Sequence, residues 1–339
     1  MPDSGPDFDP ARLAERIAGG DRATLARAIT WVESRRKSIR ERGQAVLQRL
    51  MPRTGQARRI GITGVPGAGK SSFIESYGLH LLAAGERVAV LAIDPSSSLS
   101  GGSILGDKTR MEHLAREEQA FIRPTPAGST LGGLAGHTRE ALLLCEAAGY
   151  TTVLIETVGV GQSEGAVRKL ADCVLMLALT GAGDELQGIK KGILELTDII
   201  SVHKADGDNL PRAEFARREY QLALDGLRPF TPGWSTDVVT SSSRTPDGLV
   251  AVHHAVNRFF EHLQTDDLLA RQRAQQTRQW LEDLFQERIQ ETIRHHRGYP
   301  QELTALEKAF QSGQLTLPEA LDHLQQTVFG PNKQPGSNQ

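Results

Sequence analysis

Cysteine is nearly absent: the 339 residues hold two, Cys145 and Cys173. Two cysteines cannot build a disulfide framework, and each lies in an apolar run. Both therefore read as buried, reduced thiols of a cytosolic protein. Long apolar runs are missing too. The longest, such as Val174 to Leu179, are far too short to span a bilayer. The first residues, Met1 to Asp7, are acidic and rich in Pro and Gly, unlike a secretory signal. Excess charge of either sign is also lacking, with 39 Lys and Arg against 41 Asp and Glu. That balance leaves no electrostatic footprint for nucleic acid. The basic run of Arg35, Arg36, Lys37, Arg40 and Arg42 reads as a solvated helix face. No internal repeat is evident. What remains is a soluble globular chain, long enough for about two domains and a sizeable core.

One stretch organises the rest. Arg59 to Thr63 is a short apolar strand, followed by Gly64-Val65-Pro66-Gly67-Ala68-Gly69-Lys70-Ser71-Ser72. Gly64, Gly69, Lys70 and Ser71 fit the P-loop spacing G-x-x-x-x-G-K-[S/T]. A phosphate-binding loop needs backbone N–H groups turned into a concavity, hence glycines, with a helix N-terminus behind them. In this pattern Lys70 reaches the β- and γ-phosphates and the Ser71 hydroxyl joins the Mg²⁺ shell.

Before this stretch, residues 9–50 read as helices, with Asp9-Pro10 and Asp21 as N-terminal caps. From residue 59 apolar strands alternate with amphipathic helices, the pattern of a parallel α/β sheet. The expected strands are 59–63, 87–93, 119–123, 151–156, 173–179, 198–203 and 237–240. Expected helices include 70–84, 109–116, 133–148 and 213–225. Ligands in such sheets bind at the carboxyl ends of strands, and the remaining candidates fall there.

Asp94 ends one strand, and Asp107 lies in the polar, glycine-rich loop after it. Beside a triphosphate such carboxylates bind Mg²⁺ or orient the attacking water. Asp94 reads also as a turn-forming Asp-Pro, and Asp107 as a helix cap. Glu156, followed by Gly159, occupies the place of the D-x-x-G sensor of GTPases, where the glycine N–H contacts the γ-phosphate. Val160 stands where Ras-type GTPases carry a water-orienting glutamine, so slow intrinsic hydrolysis follows, or a water positioned from elsewhere. Gln162 comes two residues late. The loop from Thr180 to Gly192 reads equally as a second switch or an ordinary connection.

His203-Lys204-Ala205-Asp206 resembles the guanine-reading N-K-x-D motif with histidine for asparagine. Asp206 accepts from guanine N1–H and the 2-amino group, a pair adenine lacks, and the Lys204 stem packs on the base. Histidine is larger and titratable, which leaves weaker affinity or a pH dependence open. Ser242 and Ser243 take the positions of the last base-contacting S-A turn. Beyond residue 263, apolar stripes at helical spacing mark a long helix and two more, then a polar tail from Gly330.

Taken together, GVPGAGKSSF, AIDPSSSLSGGSILGDKTRM, FIRPTPAGSTLGG, IETVGVGQSE and GAGDELQGIKKGILELTD resemble the MeaB/ArgK family of SIMIBI-class P-loop GTPases. The resemblance covers residues 10–329. It implies a mostly parallel-sheet P-loop domain at 56–262, flanked by an N-terminal helical segment (1–55) and a C-terminal helical dimerisation arm (263–339). It further implies a homodimeric, cytoplasmic GTPase, slow alone and stimulated by its partner. That partner is an adenosylcobalamin-dependent acyl-CoA mutase, assisted in cofactor loading, protection and reactivation. Nucleic acid and membrane are not expected partners. By resemblance GTP or GDP sits on the Gly64 to Ser72 loop, Gly159, His203, Lys204, Asp206, Ser242 and Ser243. Lys70, Asp94, Asp107 and Glu156 serve catalysis, and Ser71 with those three carboxylates serves Mg²⁺. Asp184, Gln187 and Lys190 match a switch that relays nucleotide state to the mutase. A metal-delivery GTPase or a P-loop small-molecule kinase are the competing readings; the isolated cysteines speak against the first.

Overall fold

The computed structural model describes residues 8–34, 36–94, 111–126, 131–157, 164–181, 191–296 and 298–330. Seven strands form one wholly parallel sheet: β1 (Arg58–Gly64), β2 (Val88–Asp94), β3 (Ala120–Pro126), β4 (Thr152–Glu156), β5 (Cys173–Ala178), β6 (Ile199–Val202) and β7 (Asp237–Thr240). Their spatial order is β3-β2-β4-β1-β5-β6-β7. Every residue of β4, β5 and β6 is buried. That fits their mostly apolar sequence, because a parallel sheet is covered on both faces; Thr152, Glu156 and Ser201 are the polar residues buried within them.

The alternation of side chains along each strand divides the core. Ala89 and Leu91 of β2 and Val153 and Ile155 of β4 face one layer. That layer contains α1 (Pro10–Ala18), α2 (Arg22–Val32), α3 (Lys37–Leu50) and the long α6 (Leu131–Ala147). The N-terminal helices thus share a core with the sheet. Asp9 caps α1 at Ala11 N (2.9 Å) and Asp21 caps α2 at Thr24 N (3.0 Å). Val88 and Val90 of β2 and Ile60 and Ile62 of β1 face the other layer, against α4 (Lys70–Ala83), α5 (Glu112–Arg116) and α10 (Pro246–Gln264). A third cluster joins β5 and β6 to α8 (Lys191–Glu195) and α9 (Leu210–Leu224). Between β4 and β5 lies α7 (Glu164–Arg168). Its Arg168 makes a buried ion pair with Asp198, which also accepts from Thr231 Oγ1 (2.7 Å).

The chain divides into two compact units, Met1–Trp280 and Leu281–Gln339. Helix α11 (Leu268–Arg294) begins in the first. Its Arg273 pairs there with Asp172 (2.7 Å), whose carboxylate also accepts from Arg59 N (3.0 Å). The second unit holds α12 (Tyr299–Gln311) and α13 (Leu317–Phe329), the latter opened by a capping box of Thr316 and Glu319.

The expected strands match the observed ones within a few residues at either end. Strand β3 runs furthest past its expected end, through Pro124 to Pro126. Prolines at the end of the sheet's edge strand cost few ladder bonds. Helix α9 starts at Leu210, three residues early, because Pro211 supplies a preset first turn. Among the described residues no helix is long and apolar enough to cross a membrane.

Candidate guanine nucleotide site

The order of strands puts β1 between β4 and β5, with the chain crossing to opposite sides after it. A crevice opens at such a switch point, beyond the strand ends. Gly64 closes β1 there with φ at 143°, and a Cβ on it would stand 2.3 Å from Leu177 O of β5. Only glycine fits on both counts. The loop then turns through Gly67 (φ 80°) to Gly69 (φ 91°), the residue preceding α4. Its backbone leads into a 14-residue helix whose N-terminus faces the loop. That arrangement favours a bound anion.

Lys70 folds over this loop, its Nζ donating to Gly64 O (2.9 Å) and Val65 O (3.4 Å). Burial lowers its pKa, and the nearby Glu156 carboxylate opposes that fall. Ser71 donates from Oγ to Glu156 Oε1 at 2.9 Å. Glu156 ends β4 in register with Ile62 and with Ala92 of β2, and is itself buried. The next residue, Thr157, ties its N–H (3.1 Å) and its hydroxyl (3.2 Å) to Ile62 O. Ala68 is buried, while Pro66, Gly67 and Ser72 are exposed. The backbone of Asp94 ends β2 at the same edge of the sheet. The Asp94 side chain lies outside the described residues, as do Asp107, Gly159, Val160, Gln162, Asp184, Gln187 and Lys190.

The tips of β6 and β7 meet the loop from the other side. His203 is 2% exposed; its N–H bonds Ala178 O of β5 (2.8 Å). The ring contacts Ser241 Oγ through Nδ1 (2.9 Å) and Ser243 Oγ through Nε2 (3.1 Å). It stands edge-on to Phe73 of α4, with centroids 5.5 Å apart, and within 3.3 Å of the Cβ position of Gly69. Histidine thus spans the P-loop helix and both strand tips. Burial, then the charge of Lys204, pushes its pKa down to about 4. The ring is neutral near pH 7, so the pH dependence that its titratability left open falls well below that range.

Lys204 takes a left-handed conformation (φ 61°), its carbonyl held by Asn209 Nδ2 (2.8 Å). Its Nζ reaches Gly67 O at 2.9 Å, so the lysine stem bridges the β6 tip and the phosphate loop. Asp206 accepts from Ser242 Oγ (2.8 Å) and Arg244 Nη1 (3.1 Å). Those contacts, the serine first, hold its carboxyl below the usual range. It therefore remains an ionised acceptor, the state that recognises a donor pair.

The structure brings Lys70, Ser71 and Glu156 together at one end of the site and His203, Lys204, Asp206, Ser242 and Ser243 at the other. Sequence reasoning assigned no role to Phe73, Ser76, Ser241 or Arg244. Ser76 Oγ donates to Ser243 O (3.3 Å), anchoring the β7 turn on α4. Arg244 and Ser241 sit in the serine turn already singled out, but only folding shows which partner each takes.

Comparison with known proteins agrees with this geometry. Residues 25–297 match the family described as "Methylmalonyl Co-A mutase-associated GTPase MeaB". A putative GTPase of Caulobacter vibrioides is 49% identical over 94% of this chain and 98% of its own length. The GTPase ArgK of Escherichia coli is 47% identical, covering 82% of this chain and 85% of its own. The mitochondrial methylmalonic aciduria type A homolog of Mus musculus is 42% identical over 92% of this chain and 78% of its own. A crystal structure described as LAO/AO transport system kinase superposes with a TM-score of 0.77 at 36% identity, covering 95% and 98% of the two chains. With the family matched across most of its length, and the loop, strand tips and sheet of a P-loop GTPase in place, the chain belongs to the MeaB family of guanine-nucleotide-binding GTPases.

Proposed function

We propose that this GTPase acts as a cytoplasmic chaperone of an adenosylcobalamin-dependent acyl-CoA mutase, coupling GTP binding and hydrolysis to cofactor loading, protection and reactivation. The observation that carries the reading is the match to a mutase-associated GTPase family over residues 25–297. The similarity to a methylmalonic aciduria type A homolog points the same way.

In this reading the Gly64 to Ser72 backbone cradles the phosphates and Lys70 turns from the loop carbonyls to the β- and γ-phosphates. Ser71 and Glu156 offer hard oxygen atoms in mutual contact, a donor set that suits Mg²⁺. Bound there, with Asp94 and Asp107 completing the set, the ion would neutralise phosphate charge. A carboxylate among Asp94, Asp107 and Glu156 orients the attacking water. Asp206 and the Lys204 stem hold guanine. Gly159 senses the γ-phosphate, and Asp184, Gln187 and Lys190 pass its state to the mutase. The arm from residue 263 pairs two copies. Support for that comes from apolar side chains left exposed in the second unit, Leu281 and Phe285 on α11 and Leu317 and Leu321 on α13. Metal delivery is disfavoured because Cys145 and Cys173 are both fully buried, and burial raises both thiol pKa values.

The test is GTP and ATP turnover by the purified protein, alone and with a panel of adenosylcobalamin-dependent mutases. Slow GTP hydrolysis accelerated by one mutase is the expected result and identifies the client. Turnover indifferent to every mutase would reject the chaperone role. Phosphate transfer to a small molecule would favour a kinase.

A further inference from the structure

Helix α5 borrows its cap from the P-loop helix. The first N–H groups of a helix have no partner within it, and Met111, the residue before α5, offers no side-chain acceptor. Glu75 of α4 supplies one: its Oε1 accepts from His113 N at 2.8 Å. Glu75 stands one turn beyond Ser71 on the same helix. The rest of the junction is closely built. Met111 and Leu114 are fully buried in one core with Phe73, Ile74 and Tyr77 of α4. A Cβ on Gly78 would stand 2.6 Å from Leu114 Cδ2, so glycine there lets α5 lie against α4. Asp107 comes four residues before Met111. Four residues of chain reach no further than about 14 Å, which makes the docked Met111 a short tether for that carboxylate.

We propose that Glu75 is a positioning residue for GTP hydrolysis: by fixing the start of α5 on the P-loop helix, it sets the reach of Asp107 toward Ser71 and Glu156. The proposal rests on the reading of this site in which Asp107 serves Mg²⁺. One helix, α4, then carries both the anchor of the tether and the hydroxyl that joins the cation shell. Loss of the anchor lets the start of α5 shift, and the Asp107 carboxylate with it. The phosphate loop is left as it was, because its glycines and Lys70 precede Ser71 and take no contact from α5. The consequence is selective: the rate and the Mg²⁺ requirement change while GDP binding does not. A carboxylate that only capped α5 would affect stability alone.

The experiment is GTP turnover by the full chain across a Mg²⁺ titration, with GDP affinity measured in EDTA and a thermal melt of each protein. The proteins are wild type, Glu75→Ala, Glu75→Gln, Asp107→Asn and the double variant of Glu75→Ala with Asp107→Asn. Glu75→Ala is expected to lower kcat about fivefold, the scale of one helix cap, and to raise the Mg²⁺ needed for half-maximal rate at unchanged GDP affinity. Glu75→Gln keeps an acceptor oxygen for His113 N–H and should recover most of the loss. Asp107→Asn should fall further in the same direction. Adding Glu75→Ala to it should cost little more, because the anchor acts through that carboxylate. A Glu75→Ala protein that melts earlier but keeps the wild-type kcat and Mg²⁺ requirement would overturn the proposal in favour of a simple cap. Losses that add in the double variant, or GDP affinity that falls in step with the rate, would overturn it too. Asp107→Asn with a wild-type Mg²⁺ requirement would overturn the assignment of Asp107, and the proposal with it. That failure is read from a protein in which Glu75 is intact, so the two are told apart.

Discussion

Ser71 donates to Glu156 at 2.9 Å, which ties the first turn of the P-loop helix to the tip of β4. Two elements 85 residues apart thus present a hydroxyl and a carboxylate at one point. Glu156→Gln keeps the shape and an acceptor oxygen but removes the charge. We expect GTP turnover to fall by at least about tenfold, as for loss of a charged group in a catalytic site, and the Mg²⁺ needed for half-maximal rate to rise. Phosphate release across a Mg²⁺ titration measures both. An unchanged Mg²⁺ requirement would remove Glu156 from the cation set.

Lys70→Ala removes the ammonium that spans Gly64 O and Val65 O. Charge-assisted hydrogen bonds contribute about 1.5–3 kcal/mol, so GTP affinity should drop on the order of a hundredfold. Fluorescent-nucleotide titration reads the loss, and a thermal melt shows whether the fold survives. Tight binding by this variant would refute the assignment of the loop.

Gly64→Ala confronts a left-handed backbone and a carbonyl at 2.3 Å together. Backbone strain and overpacking each cost about 1–3 kcal/mol. Urea unfolding should show a loss of about 2–4 kcal/mol on those terms, with a depressed midpoint and an unaltered slope. A neutral substitution would mean that the β1–β5 junction yields more readily than its spacing indicates.

His203 provides a pH test with a definite sign. Burial lowers its pKa from 6.5 to about 4 in the folded chain. The unfolded ring therefore takes up a proton first as pH falls. Relative to His203→Asn, which does not titrate, wild-type stability should decline from pH 6.5 down to about 4 and then level off. Guanine nucleotide affinity should show no step from this ring above pH 6.5. A step near neutrality that His203→Asn abolishes would show that the ring is far more accessible than its burial implies.

The C-terminal helices offer a contrast between what local pattern carries and what it omits. The stripes of α11, α12 and α13 were visible as apolar residues at helical spacing, because the 3.6-residue period depends on neighbours within one segment. What those faces cover is a property of another surface, so periodicity is silent on it. The N-terminal helices were readable for the same local reason. That they share a core with α6 and the sheet was not.

The sequence by itself determined the P-loop, the alternation of strands and helices, and the loops that carry chemistry. Those features are local: a strand period of two, a helix cap, a glycine where φ is positive. It also determined the family, since the motifs recur in order. Tertiary structure decided the strand order that sets β1 between β4 and β5. It decided the contact of Ser71 with Glu156 and the bridge from Lys204 to Gly67. Above all it decided the state of His203. Read in sequence, that residue is a titratable replacement for asparagine. Folded between Phe73, Ser241 and Ser243, it is a neutral ring held at both nitrogens by serine hydroxyls. Desolvation and hydrogen-bond polarity depend on groups brought together from α4, β6 and β7, and no spacing along the chain encodes them.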